Sequence, residues 1–305
     1  MRTGIIPLYK PMGMTSFACV SKMRYVFGQK RVGHSGTLDP NVDGVLPICL
    51  GHATKVVDLL MDSGKIYRGS ITLGFSTTTE DLDGEIVEDD FDFEPLTQAQ
   101  IDAGLSSFVG EITQIPPMFS AVKVNGRRLY DYARHGETVE RPKRIAKISY
   151  FKQLGKDIID EENKTQTIFF EVGCGKGTYV RTLAVDFGKK FNIPAVMSQL
   201  TRIKSGGFDL SETVTIDELM EAKESDRLAQ KIFPIGKALT DYSRIIINDS
   251  QWKRVKNGNF LEIDEVEPND ETVLISYHNV DRALYYLNHE KKRYLPLKMF
   301  DLEGD

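Results

Sequence analysis

In the stretch SFACVSKMRYVFG, residues 16–28, apolar positions recur at three- and four-residue intervals behind the hydroxyls of Thr15 and Ser16 and end at a glycine. That spacing predicts a helix closing at Gly28. The preceding GIIPLYK reads as a short strand, and residues 33–44, from GHSGTLDP onward, as a Gly-rich loop. HATKVVDLLMDSG predicts a helix ending at Gly64, and KIYRGSITLGF alternates like a strand. LTQAQIDAGLSSFVG, with a threonine cap and a closing glycine, predicts a helix over about 97–109. QIPPMFSAVKVNGRRLYDYARHG runs from a rigid Pro-Pro turn through a hairpin at Asn125-Gly126 into a short helix. TIFFEVGCGKGTYVRTLAVDFGKKFN reads as a strand, a Gly-containing turn and an amphipathic helix whose Val180, Leu183, Ala184, Phe187 and Phe191 share a face. Strands joined by helices and hairpins in mixed order predict an α+β fold rather than a doubly wound sheet. After the helical TIDELMEAKESDRLAQKIF the texture changes to short β-like runs, ETVLISYH and ALYYLNHEKKRYLPLKMF, which predicts a small β-rich domain beginning at about 235–240.

Composition narrows the class. At 305 residues with 41% hydrophobic and 27% charged positions the chain has the make-up of a soluble globular protein of two domains, or of one domain with an insertion. No stretch approaches the ~20 apolar residues of a membrane span. The start, MRTGIIPLYKPMGMTS, lacks the apolar core of a signal peptide, so a cytoplasmic location is expected. Cys19, Cys49 and Cys174 are widely spaced and form no C-x-x-C, which suggests buried reduced thiols rather than a disulfide framework or zinc site.

Charge changes the picture more. The net charge is −5, but residues 1–38 contain six Lys or Arg and no acid, and Asp39 is the first acid of the chain. Residues 123–147 carry eight basic against three acidic side chains, whereas 80–94 hold nine acids and no base. Such runs are read either as solvated faces or as a bipolar molecule whose basic side meets phosphates.

Candidate chemistry centres on Asp39. With Asn41, Asp43 and Gly44 it imitates the first half of a calcium loop, but the twelfth position, where a bidentate glutamate belongs, is Leu50, and Pro40 and Pro47 interrupt the loop. Glycines before Asp39 free the backbone and Pro40 restricts Asp39 to extended geometry, so the loop can hold one carboxylate at a fixed angle; the plainer reading is an ordinary Asx turn. Tyr67 in KIYRG is either a core aromatic or a ring available to a ligand. Arg181, in TYVR where a Gly-Lys-Gly turn opens a helix, is either a solvated helix residue or a lock on a buried carboxylate. There is no G-x-S-x-G, Walker A or H-E-x-x-H, and the five histidines are not paired at metal spacing.

GHSGTLDPNVDGVLPICLGHATK, KIYRGSITLGFSTTTEDLDGE, IPPMFSAVKVNGRRLYDYARHG and GCGKGTYVRTLAVDFG, in that order and spacing over most of residues 4–210, resemble the TruB family of tRNA pseudouridine-55 synthases. The resemblance implies an α+β catalytic domain over 1–238 with a mixed, largely antiparallel sheet, an RNA-clamping insertion at about 115–147, and a small PUA-like β-rich domain over 239–305. It implies an enzyme that isomerises a T-loop uridine of tRNA without metal or cofactor, with the T-arm as partner and no obligate protein partner. Asp39 falls on the family's essential aspartate and Arg181 on its arginine. His34 would occupy the space near the vacated base, Tyr67 would stack on the flipped uracil, and Tyr179 and Leu200 would line the pocket. Lys123, Arg127, Arg128, Arg141, Lys143 and Arg144 of the basic segment would contact RNA. Ser35, Val42 and Asp43 depart from the family's usual residues beside the aspartate, which implies altered loop packing rather than altered chemistry, and the tail after about 240 matches loosely. Two rivals stand beside this reading: a non-catalytic RNA-binding protein in which Asp39 is structural, and a synthase acting in a guide complex as dyskerin-type relatives do.

Overall fold

The computed structural model describes residues 1–267 and 270–300. It is α+β, with sheets that are antiparallel in nearly every pairing. Two compact units divide the chain, Met1–Ser63 with the described part of Lys204–Asp305, and Gly64–Ile203.

In the first unit the strand Gly4–Lys10 lies antiparallel to Asp43–Leu50, and Val32–His34 pairs with the far end of the same partner. Side chains of a strand alternate between faces. Here the even positions Ile6, Leu8, Leu46 and Ile48 join one buried cluster, and the odd positions Ile5, Val45 and Cys49 join another. Both faces are therefore dry, which accounts for the near-continuous apolar run VLPICL. The first cluster is closed by the helix Ser16–Phe27, through Cys19, Val20, Met23 and Phe27, and by Leu219 and Ala222 of the helix Ile216–Glu224. The helix Ser16–Phe27 starts where its sequence predicts: Thr15 accepts the amide of Ala18, and Gly28 takes the left-handed conformation that ends it.

The C-terminal β-runs form a five-stranded sheet in the order Ser243–Ile246, Thr272–Tyr277, Val280–Asn288, Arg293–Met299, Leu261–Glu262, the first pair parallel. Its Leu274 and Leu284, with Phe300 just past its strand Arg293–Met299, share the second buried cluster with Val45, Cys49, Val56 and Leu60. For that reason the compact units divide the chain at 63/64 and 203/204, while the sequence-based cut at 238/239 falls just before the five-stranded sheet.

In the second unit the strands run in the order Ala195–Ser205, whose last two residues lie past the unit's end at Ile203, then Lys65–Leu73, Thr165–Cys174, Arg144–Gln153 and Gly110–Gln114. The helix Val180–Lys190 buries Val180, Leu183, Ala184 and Phe187 of the face that its periodicity predicts, while Phe191, the fifth residue of that face, caps the helix and is half-buried. Two segments depart from the sequence reading: the helix predicted over HATKVVDLLMDSG is a 3-10 turn over Gly51–Val56 followed by an α-helix over Val57–Asp62 only, and the loop predicted over 33–44 is partly strand. Residues 33–44 do not form a single loop: Val32–His34 and Asp43–Leu50 are strands, so only the residues between them are irregular. The glycines at 33 and 44 that suggested a longer loop are accommodated inside paired backbone.

Candidate functional site

Asp39 lies half-buried in the connection between these two strands. Backbone contacts stitch that connection to the N-terminal segment. Ser16 Oγ, itself buried, accepts the amide of Leu38 at 2.9 Å and donates to its carbonyl at 3.1 Å. The Gly13 amide donates to Pro40 O at 2.9 Å, and Val42 N closes a turn on Asp39 O at 3.1 Å. Beneath the loop lies Lys10, whose side chain is fully buried and whose Nζ donates to the carbonyls of Pro11 at 2.9 Å, Pro40 at 2.9 Å and Val42 at 2.7 Å. A buried ammonium is tolerated where carbonyl dipoles replace its water, and here two of those dipoles, at Pro40 and Val42, follow Asp39 on its C-terminal side.

Asp43 is structural, since Tyr9 OH donates to its Oδ2 at 2.6 Å. That bond to a carboxylate, together with burial, pushes the Tyr9 phenol up to about 12. With Asp43 so engaged and Leu50 buried in a strand, the calcium-loop geometry is not formed. Among the described residues no group of three or more His, Cys, Asp or Glu side chains is placed to hold a metal ion, and no helix is long and apolar enough to cross a membrane. The three cysteines are buried and form no disulfide, with Cys49 pushed up to about 12 by burial. His34 ends the strand Val32–His34, opposite Ile48. Ser35 is fully buried just beyond it, its amide donating to Pro47 O at 3.1 Å.

The second unit carries Tyr67, Tyr179, Arg181 and Leu200. Tyr67 is buried on the strand Lys65–Leu73, opposite Val172. Two residues on, and so on the same face, Gly69 lets Leu200 approach: a Cβ there would stand 3.0 Å from Leu200 Cδ1 and 2.3 Å from Gln199 O. Tyr179 caps the helix Val180–Lys190, and its backbone is gripped from both sides by the buried Gln114, which accepts its amide at 3.0 Å and donates to its carbonyl at 3.1 Å. Arg181 is 5% exposed. Its guanidinium donates to Thr79 O at 2.7 Å and Phe119 O at 3.0 Å, and lies 3.5 Å from Asp81 Oδ2. Arg181 is thus a buried, held cation and not a solvated helix residue. Asp39 and His34 belong to the first unit, and these four side chains to the second.

Two residues here are not singled out by sequence reasoning. Asp81 stands in an acid run that reads as a solvated face, yet its side chain is 17% exposed and turned to Arg181. Lys10 counts only as one of six bases. The pattern YKP before the helix cap gives no sign that its charge points inward.

The basic segment divides into two kinds of cation. Its hairpin forms at Asn125-Gly126, both with positive φ, between Lys123–Val124 and Arg127–Arg128. Lys123, Arg128, Lys143 and Arg144 are exposed. Arg127 forks onto Glu137 at 2.8 and 3.0 Å and stacks 4.3 Å over the Tyr132 ring, and Arg141 donates to Pro116 O at 3.1 Å.

Comparison with known proteins places the chain. Residues 24–180 match the model of the TruB family pseudouridylate synthase N-terminal domain, and residues 181–240 that of the tRNA pseudouridylate synthase B C-terminal domain. The tRNA pseudouridine synthase B of Lactiplantibacillus plantarum is 58% identical over 98% of this chain and 99% of its own length. That of Pediococcus pentosaceus is 55% identical over 97% and 98%. Among solved structures, a Cbf5–Nop10–Gar1 complex contains a chain with a TM-score of 0.71 at 28% identity, covering 99% of this chain and 84% of that one.

Proposed function

We propose that this chain, which belongs to the TruB family of pseudouridylate synthases, converts the uridine at position 55 in the T-loop of tRNA to pseudouridine, acting alone and without a cofactor. The reaction is an isomerisation: the bond from C1′ of the ribose to N1 of uracil breaks, a bond from C1′ to C5 forms, and the C5 proton is lost as N1 gains one. Atoms and electrons balance within the substrate.

The observation that carries the reading is near-full-length identity of 58% and 55% to proteins named tRNA pseudouridine synthase B. A uridine inside a folded loop is out of reach of any side chain, so the base must leave its stack for a pocket. In this reading Asp39 is the essential carboxylate, and the stitched loop supports that by fixing its backbone. Arg181 is the cation that the family resemblance assigns to keeping it ionised. Tyr67 stacks on the flipped uracil, Tyr179 and Leu200 line its pocket, and His34 fills the space the base leaves. The exposed Lys123, Arg128, Lys143 and Arg144 meet the phosphates of the T-arm.

The test is to incubate the purified chain with an unmodified tRNA transcript and map pseudouridine by chemical labelling and primer extension. One modified position, uridine 55, is expected. Modification elsewhere would remove the site assignment, and tight binding with no modification would favour the non-catalytic RNA-binding reading.

A further inference from the structure

Between Thr79 and Asp81, two of the residues that face Arg181, stands Glu80, to which the family resemblance gives no role. Its backbone takes φ 65, a left-handed conformation that glycine or asparagine adopts more readily than glutamate. Its side chain is nonetheless directed inward: Oε2 accepts from Thr182 Oγ1 at 2.7 Å, and Thr182 is the residue after Arg181 on the helix Val180–Lys190. The main chain of Glu80 is tied as well, its carbonyl accepting Met197 N at 3.1 Å and its amide donating to Thr77 O at 3.3 Å. On one side Thr79 offers its carbonyl to Arg181 at 2.7 Å, and on the other Asp81 brings its carboxylate to 3.5 Å. Besides these contacts of the guanidinium itself, the turn is bonded to the helix that carries Arg181 through the Glu80–Thr182 carboxylate–hydroxyl contact. Glu80 also lines a cavity of about 560 Å³ with Thr78, Arg141 and Lys189.

We infer that Glu80 is a positioning residue for Arg181: by bonding Thr182 it fixes the 79–81 turn against the helix, and so fixes two of the acceptors that orient the guanidinium, the Thr79 carbonyl and the Asp81 carboxylate. The inference rests on the functional reading above, in which Arg181 serves catalysis. Were the conformation of the turn all that mattered, glycine would serve at this position better than glutamate. Misplacement of a catalytic cation by about 1 Å is enough to cost about a hundredfold in rate.

The experiment uses the full chain with a tRNA transcript and measures kcat and KM for wild type, Glu80→Gly, Glu80→Gln, Thr182→Val and the Glu80→Gly/Thr182→Val double variant. Glu80→Gly and Thr182→Val are each expected to lower kcat by about tenfold to a hundredfold with KM within about twofold. Glu80→Gln, which keeps an oxygen to accept from Thr182, restores most of the turnover. The double variant falls no further than Glu80→Gly, because both changes remove one bond. Wild-type kcat in Glu80→Gly, equal losses in Glu80→Gly and Glu80→Gln, or losses that multiply in the double variant would each overturn the inference. Should Glu80→Gly fail to fold, the Thr182→Val and Glu80→Gln pair decides the matter alone. A wild-type chain that forms no pseudouridine removes the functional reading and this inference with it, whereas an active wild type beside an equally active Thr182→Val removes the inference only.

Discussion

Lys10 and Arg127 are both cations of segments rich in positive charge, one under the loop of the first unit and one in the hairpin of the second, and they differ in what surrounds them. Lys10 is fully buried with its ammonium on three backbone carbonyls. Arg127 is more than a third exposed and is matched by the carboxylate of Glu137, also in contact with solvent. The first is a desolvated charge whose removal strands carbonyl dipoles; the second is a surface pair that water screens. Burial and partner, not residue type or local charge count, separate a scaffold cation from a surface one.

A graded set of substitutions sharpens or breaks that comparison. The largest effect is expected of Asp39→Asn, which should retain tRNA binding and lose pseudouridine formation by about 10²–10⁴-fold or more; turnover within tenfold of wild type would remove Asp39 from catalysis. Next, Lys10→Met keeps the volume but takes this donor from the buried Val42 carbonyl and the partly buried Pro11 carbonyl, leaving Pro40 with the Gly13 amide, and should lower stability by about 1–3 kcal/mol. Urea titration reads it, and an unchanged midpoint would mean that the loop under Asp39 does not depend on its cation.

A smaller effect belongs to the surface. Lys123→Ala with Arg128→Ala should weaken RNA binding and flatten the dependence of log Kd on log salt by about one for each lost phosphate contact. Arg127→Ala should leave that slope nearly unchanged, since its charge is already matched by Glu137; a full unit of slope lost there would show that RNA displaces the pair.

The smallest is a pH effect at Glu80. Burial raises its carboxyl above the usual range, an effect that Thr182, Arg181, Lys189 and Arg141 offset only in part. A folded-state value above the unfolded one means that stability is full below the ordinary glutamate range of about 4.3 and is lost as pH rises through the raised value. Glu80→Gln should therefore melt with wild type in acid and above it at neutral pH. Parallel melting curves across that range would show that the carboxylate carries no burial penalty.

How much of the molecule is legible in its sequence varies by element. The helix Ser16–Phe27 is readable to its ends because a hydroxyl cap and a left-handed glycine are local signals. So are the Asn125-Gly126 hairpin and the buried face of Val180–Lys190. The strands at either end of 33–44 are not, since Gly33 and Gly44 look like loop residues until pairing partners far along the chain are known. The inward turn of Lys10 and Asp81 is hidden for a related reason: composition counts a charge without saying which way it faces.

By itself the sequence determined the helix caps, the tight turns, the period of the amphipathic helix faces and the ordered motifs that mark the family, all of which depend on neighbours within a few residues. Only the tertiary structure decided that the alternate faces of Asp43–Leu50 serve two cores, that Lys10 sits on the carbonyls around Asp39, and that Glu80 ties the turn beside Arg181 to its helix. Those contacts join residues roughly thirty to more than a hundred positions apart, where the loss of water from apolar faces or around a charge sets the energy and no local pattern records it.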